Sequence, residues 1–266
     1  MFMLDEILSH KVQEVKEKQS LVPLKEIKEK IASARMPRDF YGALKKPGIS
    51  LIAEVKRKSP SKGELRTDFD ALSLARMYAK YGARAISVLA DVKYFGGGAH
   101  VVERIANDSQ VQVPVMYKEF IIDPYQIYEA RAVGADAVLM IVRAIEPDRL
   151  PEMIETAHDL GMQALVECFT AEEAERAVTA GARIVGINNR DLQSFEVDLA
   201  RSEDIRRVLP EGVVTVSESG LTCGADARKA EALGFDAMLV GEAILKAQDV
   251  PARVREFAYS YMGTQV

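Results

Sequence analysis

The 266-residue sequence predicts an α/β protein built as an eight-stranded (β/α)8 barrel behind an N-terminal helical extension, and three observations carry that prediction. A helical segment that ends in glycine and passes within a few residues into a short apolar run occurs five times. Three further apolar runs bring the candidate strands to eight. Helical periodicity fills the intervals, and alternating strand with helix demands parallel pairing through crossover connections.

The first strand is read in I-S-L-I-A-E-V-K at 49–56. The glycine-ended junctions are A-K-Y-G-A-R-A-I-S-V-L (79–89), A-V-G-A-D-A-V-L-M-I (132–141), H-D-L-G-M-Q-A-L-V-E (158–167), T-A-G-A-R-I-V-G-I-N (179–188) and A-L-G-F-D-A-M-L-V-G (232–241). V-P-V-M-Y-K (113–118) and G-V-V-T-V-S-E (212–218) complete the set. Glycine suits the left-handed position that stops a helix, and an unbroken apolar run suits a strand covered on both faces. Eight units in about 215 residues fit a closed TIM barrel better than a doubly wound sheet. No G-x-G-x-x-G follows the first strand, which also counts against a dinucleotide fold.

Residues 1–47 precede the barrel. Leu4, Leu8, Val12 and Val15, then Leu24, Ile27 and Ile31, stand at helical spacing, so two amphipathic helices split near Pro23 are expected. Pro47 and Gly48 mark the entry to a catalytic barrel domain over 48–266.

Composition excludes several functions. A net charge of -5 gives no basic surface for nucleic acid. No apolar run approaches the roughly 20 residues of a membrane span, and acid at Asp5 and Glu6 comes too early for a signal peptide. The two cysteines, Cys168 and Cys223, and the three histidines, His10, His100 and His158, lie apart without metal-ligand spacing. A cytoplasmic chain without metal or other cofactor is expected, a monomer or weak homo-oligomer with no nucleic-acid or membrane partner.

Active groups of such a barrel belong at the C-terminal ends of its strands. Period two puts Ile52, Glu54, Lys56 and Lys58 on one face of the first strand and Ala53, Val55 and Arg57 on the other. With the apolar set against the helices, Glu54 and Lys56 point into the barrel mouth. Lys118, Glu167, Asn188 and Glu218 end later strands in the same way. Charges converging inside a barrel are costly unless they compensate one another, so a mutually paired site is expected. Such a set can supply a general acid and a general base, and Schiff-base formation by a lysine is open as well. S-E-S-G-L (217–221) and V-G-E-A-I (240–244) follow the last two strands, where barrels often bind phosphate. Gly220 and Gly241 would let backbone N–H groups approach the anion, with Lys58 and Ser59 opposite.

I-A-E-V-K-R-K-S-P-S-K-G, S-V-L-A-D-V-K-Y-F-G-G, K-E-F-I-I-D, L-V-E, G-I-N-N-R-D-L, S-E-S-G and L-V-G-E-A resemble, in order and spacing, the motifs of the indole-3-glycerol phosphate synthase family over about residues 40–245. The resemblance implies a phosphorylated substrate, 1-(2-carboxyphenylamino)-1-deoxyribulose 5-phosphate, cyclised, decarboxylated and dehydrated without cofactor in tryptophan biosynthesis. It implies Lys118 as general acid, Lys56 as partner of the anthranilate carboxylate and Glu167 as the other proton-transfer group. Glu54 would orient Lys56, while Asn188, Glu218 and Ser219 hold substrate hydroxyls and the reacting edge. Lys58, Ser59, Gly220, Gly241 and Glu242 fall on the phosphate side, Leu89, Phe95, Phe120 and Leu139 around the aromatic ring, and Arg190 among the binding positions. The extension would help cover the barrel mouth. Two positions depart from the family: Tyr117 stands where many members carry a basic residue, and Phe169 where many carry histidine. A Schiff-base aldolase or phosphosugar isomerase using Lys56 or Lys118, and a non-catalytic phosphate-binding barrel, are the competing readings.

Overall fold

The eight apolar runs become β1 (Ser50–Val55), β2 (Ala85–Leu89), β3 (Val115–Lys118), β4 (Ala137–Ile141), β5 (Gln163–Cys168), β6 (Ile184–Asn188), β7 (Val214–Glu218) and β8 (Ala237–Val240). They close into one parallel barrel in sequential order, with β8 beside β1. The computed structural model describes residues 3–59, 63–66, 68–190 and 199–259. Residues 60–62 and 191–192, parts of two of the motifs, lie outside them. Among the described residues no helix is long and apolar enough to cross a membrane.

Strand alternation sorts the core into two layers. Leu51, Ala53 and Val55 pack outward against the helices, while Ile52 joins Ala85, Met116, Leu165, Ile184, Val214 and Leu239 inside the barrel. Each fully buried Ile or Leu there contributes about 1.5–3 kcal/mol. The outer layer is closed by α4 (Ala71–Lys80), α5 (Ala99–Ala106), α6 (Pro124–Ala132), α7 (Leu150–Asp159), α8 (Ala171–Thr179), α9 (Leu199–Val208), α10 (Gly224–Ala232) and α12 (Val250–Ala258), with the one-turn α11 (Glu242–Leu245) after β8. The five junction glycines, 82, 134, 161, 181 and 234, all take positive φ, between 77° and 110°. That left-handed backbone ends each helix and starts the chain toward its strand.

The extension has three helices rather than two: α1 (Met3–Leu21), α2 (Leu24–Ser33) and a short α3 (Phe40–Leu44). Its α1 also turns a different face inward from the one its apolar spacing suggests. Ile7, Lys11 and Val15 are buried, whereas Val12 is 40% exposed. Lysine at the centre of the buried stripe hides that face from any count of apolar residues. From α1 at the mouth the chain descends with α2 along α6, where Val15, Ile27 and Tyr125 form a separate core. It then crosses the floor of the barrel, where Phe40 and Leu44 of α3 plug the interior beneath the strands.

One carboxylate fixes the extension to the floor. Asp136, fully buried in the G-A-D-A junction before β4, accepts from Arg35 Nη1 at 2.7 Å and Nη2 at 2.9 Å, from the Arg38 backbone at 2.6 Å and from the Val115 backbone at 2.7 Å. The G-F-D-A junction before β8 repeats the device: Asp236 accepts from the Thr215 backbone at 2.9 Å and pairs with Lys45 at 3.1 Å. Truncating Asp136 strands buried donors, and losing one partner of such a set costs about 3–5 kcal/mol. Asp136→Ala is therefore expected to lower the free energy of urea unfolding by about 3 kcal/mol; a loss under about 1 kcal/mol would refute this anchor.

Candidate active site

At the C-terminal end of the barrel the register levels the strand ends. Leu89 pairs with Lys118, Ile141 with Glu167, and Asn188 with Glu218, so groups from six strands meet in one layer above the apolar interior. They line a single cavity together with Glu54, Lys56, Ser59, Phe95, Phe120, Leu139, Arg190, Ser219, Gly220, Gly241 and Glu242. Every sequence-derived site residue lies on that wall except Lys58, whose ammonium donates to the Lys93 carbonyl at 2.8 Å. Lys58 and Ser59 form a two-residue antiparallel rung with 63–64. Met3, Leu4 and Ile7 of α1, together with Glu119, also line the cavity and escaped the sequence reading.

Glu54 is the centre of the charge arrangement. Its carboxylate, 4% exposed, takes Lys56 on one oxygen and Lys118 on the other, the latter at 3.0 Å. Burial alone would raise its pKa, but the two ammonium groups, Lys118 foremost, outweigh burial and hold it down to about 2. Lys118 is treated in the opposite sense. Burial would strip its proton, but Glu54, Glu218 and Glu167 outweigh burial and keep its pKa above the ordinary lysine value. The surrounding carboxylates thus favour the protonated form of Lys118.

Glu167 and Glu218 sit deeper, 3% and 1% exposed. Burial raises both; for Glu218 the neighbouring Glu167 adds to that, and for Glu167 the Lys118 charge only partly opposes it. The two carboxyls hydrogen-bond each other, and among the described residues the cation nearest Glu218 is Lys118, 3.7 Å away. Burial and mutual repulsion favour one proton shared by a carboxyl pair so placed. Asn188 hydrogen-bonds Glu167, and the Asn188 side-chain Oδ1 accepts from the Arg190 backbone at 3.0 Å.

Glycines make room for these carboxylates. A Cβ at Gly186 would overlap Glu218 Oε1, and one at Gly241 would press on Glu54. Gly241, expected to clear space for an anion's approach to backbone, is thus also the slot through which Glu54 reaches its lysines. Ser219 holds a left-handed φ of 67°, followed by Gly220 at 80°. Asn189 keeps it there: its side-chain nitrogen donates to the carbonyls of Glu218 at 2.9 Å and Ser219 at 3.0 Å.

The apolar side of the cavity is an aromatic pair. Phe95 and Phe120 face each other with centroids 6.0 Å apart. Phe95 is brought over the mouth by a tight loop in which Asp91 Oδ1 accepts from the backbone of Tyr94 at 2.5 Å and Phe95 at 2.9 Å. The two departures from the family lie outside this chemistry. The buried Tyr117 hydroxyl donates to Glu129 at 2.7 Å on the helix side of β3. Phe169 is buried in the barrel interior with the Arg143 guanidinium 4.4 Å from its ring centroid.

A family model described as indole-3-glycerol phosphate synthase matches residues 4–257. The indole-3-glycerol phosphate synthase of Roseiflexus castenholzii is 46% identical over 261 residues, covering 96% of this chain and 97% of its own. That of Acetivibrio thermocellus is 43% identical over 258 residues, covering 96% and 98%. Among solved structures, 3-hexulose-6-phosphate synthase from Salmonella typhimurium matches with a TM-score of 0.67 over 80% of this chain and 99% of that one, at 15% identity, a likeness of fold alone.

The shared proton is open to direct test by carboxyl-labelled NMR titration. Glu54 should stay ionised far below the ordinary 4.5, while the Glu167/Glu218 pair should take up its first proton above that value. Both members titrating at or below 4.5 would contradict the pairing.

Proposed function

We propose a division of labour for a chain that belongs to the indole-3-glycerol phosphate synthase family. Its reaction is the ring closure, decarboxylation and dehydration of 1-(2-carboxyphenylamino)-1-deoxyribulose 5-phosphate to indole-3-glycerol phosphate in tryptophan biosynthesis, a carboxy-lyase reaction. The observation that carries the assignment of roles is the placement of the Lys118 ammonium between Glu54, 3.0 Å away, and Glu218, 3.7 Å away.

Lys118 gives an Nζ proton to the ribulose carbonyl oxygen as the aromatic ring carbon attacks its carbon, so the new alkoxide forms as a hydroxyl. The bond formed leaves an iminium on the ring, and loss of carbon dioxide returns its electron pair and restores aromaticity. Lys56 pairs with the anthranilate carboxylate until that step. The neutral Lys118 amine then recovers a proton from the Glu167/Glu218 pair, whose excess negative charge the next step uses. In the dehydration an acid protonates the departing hydroxyl and a base takes the ring-side proton; Lys56 and Glu167 fill these two positions. Asn188 and Ser219 hold substrate hydroxyls. The Phe95–Phe120 pair, with Leu89 and Leu139, sandwiches the aromatic ring.

The phosphate falls to Ser59 and to the backbone at Gly220, Gly241 and Glu242. Lys58 completes that side once its ammonium leaves the Lys93 carbonyl, and Arg190 supplies a further cation for the substrate's anionic groups. The high proton affinity of Lys118 speaks against a Schiff base there, which requires a neutral amine. The net charge of -5 supports the absence of a nucleic-acid partner, and we place the chain in the cytoplasm as a monomer or weak homo-oligomer.

Two measurements test these roles. A fluorescence assay of product formation should show kcat at least about 10²-fold lower in Lys118→Ala, the usual worth of a positioned general acid; turnover near wild type rejects the role. Removing one acid of the coupled pair lets the other ionise more easily, so Glu218→Gln should move the acid limb of the kcat–pH profile to lower pH by about one unit. A limb that stays or moves upward rules out the shared proton.

A further inference from the structure

Lys11 has no exposed surface, yet it lies in the apolar stripe of α1. Its ammonium is 2.8 Å from Asp91 Oδ2, 3.0 Å from Glu119 Oε2 and 2.8 Å from Glu14 Oε2. Asp91 and Glu119 are themselves 0% and 3% exposed. Each holds, with its other oxygen, backbone in the loop that follows a strand. Asp91 Oδ1 ties down Tyr94 and Phe95, and Glu119 Oε1 accepts from the Phe120 backbone at 2.7 Å. One ammonium thus bridges the two carboxyl groups that fix the two facing rings. On the same loop, the Tyr94 hydroxyl donates to Glu6 at 3.4 Å and the His10 ring meets Tyr94 edge-on at 5.9 Å, so α1 and the Phe95 loop are joined at three points.

We propose that Lys11 is a positioning residue for the aromatic half of the substrate. It locks the Phe95–Phe120 clamp to the N-terminal helix through Asp91 and Glu119, so ring capture depends on the charge balance of that trio. The identity of the substrate rests on the family reaction; the clamp itself rests on the contacts above.

The other charged groups around the trio are already engaged. From α1, Glu14 is shared between Lys11, His10 and Lys18, and Lys18 meets Glu129 of α6, which also accepts from Tyr117. From β3, Lys118 is held by Glu54. Lys11 is left to serve both Asp91 and Glu119. Burial pushes Glu119 up, Lys11 draws it down and Asp91 raises it again, to a balance at about 7. Below that point the trio is neutral; above it, two buried anions share one cation. Removing Lys11 leaves a neutral carboxyl beside Asp91 at low pH, which can still bridge to it, but two repelling carboxylates at high pH.

The test is KM at about pH 6 and about pH 8.5, either side of the Glu119 titration. Lys11→Met should raise KM about threefold at the lower pH and at least about tenfold at the higher, with kcat within about threefold of wild type. In a Glu119→Gln background the same replacement should change KM by about threefold at both pH values. A KM ratio that does not depend on pH, or an unchanged effect in the Glu119→Gln background, overturns the proposal. Should Lys11→Met fail to fold, Glu119→Gln alone decides. Glutamine mimics the protonated acid, so its KM relative to wild type should be near unity at the lower pH and about threefold higher at the upper; a flat ratio overturns the proposal. Amide exchange at Tyr94, Phe95 and Phe120 reads the clamp without substrate. It should be at least about tenfold faster in Lys11→Met than in wild type at the higher pH, and unchanged exchange also overturns the proposal. A wild-type chain that forms no product would defeat the family reaction and leave the clamp to this last measurement.

Discussion

The buried carboxylate of Glu54 is the constraint on which the rest of the mouth depends. Two lysines cannot be brought into the top of a closed, apolar barrel without an anion between them. Glu54 supplies one negative charge, and the Glu167/Glu218 pair, whose burial and mutual repulsion favour a shared proton, supplies the second when that proton is in place. Two cations then face two net negative charges, and the cluster is neutral as a whole. The neutrality has a chemical consequence for the proposed mechanism: a proton given up by Lys118 would have a donor within the same cluster to replace it. The backbone is cut to fit, since glycines at 186 and 241 stand where any larger residue would collide with Glu218 or Glu54.

The extension works on both ends of the barrel at once. At the floor, Arg35 and Arg38 converge on Asp136 while Phe40 and Leu44 fill the space beneath the strands. At the mouth, α1 adds Met3, Leu4 and Ile7 to the cavity wall and buries Lys11 among carboxylates. The segment between them runs down α6, so the helix covering the mouth is tied by continuous packing to a salt-bridged anchor at the opposite end. A lid hinged on a loop would have to be ordered with each substrate; a strap anchored at the floor is ordered already on folding.

Much of this was legible in the sequence. The glycine-ended junctions located five of the eight strands, because positive φ is a local requirement that few residues other than glycine satisfy. Alternation in β1 placed Ile52 and Glu54 inside and Ala53 and Val55 outside, as observed. What escaped has a common cause. The inward face of α1 was misread because Lys11 is an apolar-stripe residue only by virtue of partners about 80 and 108 positions away. Glu119 was passed over because alternation turns it away from Lys118's side, and only the docking of α1 gives it a place. Lys58, expected on the phosphate side, donates to the Lys93 carbonyl, a contact across 35 positions that local spacing does not show.

By itself the sequence determined the barrel, the strand ends that carry charge, and the motif set that ties the chain to its family, since these depend on local spacing: period two in strands, glycine at helix ends, charge at fixed positions. The tertiary structure decided how the charges are shared. Which lysine stays protonated, which acids hold a proton in common and which buried cation clamps the aromatic walls all depend on distances between residues far apart in the chain. Coulomb energy and desolvation are functions of those distances and of burial, and neither is encoded in local spacing.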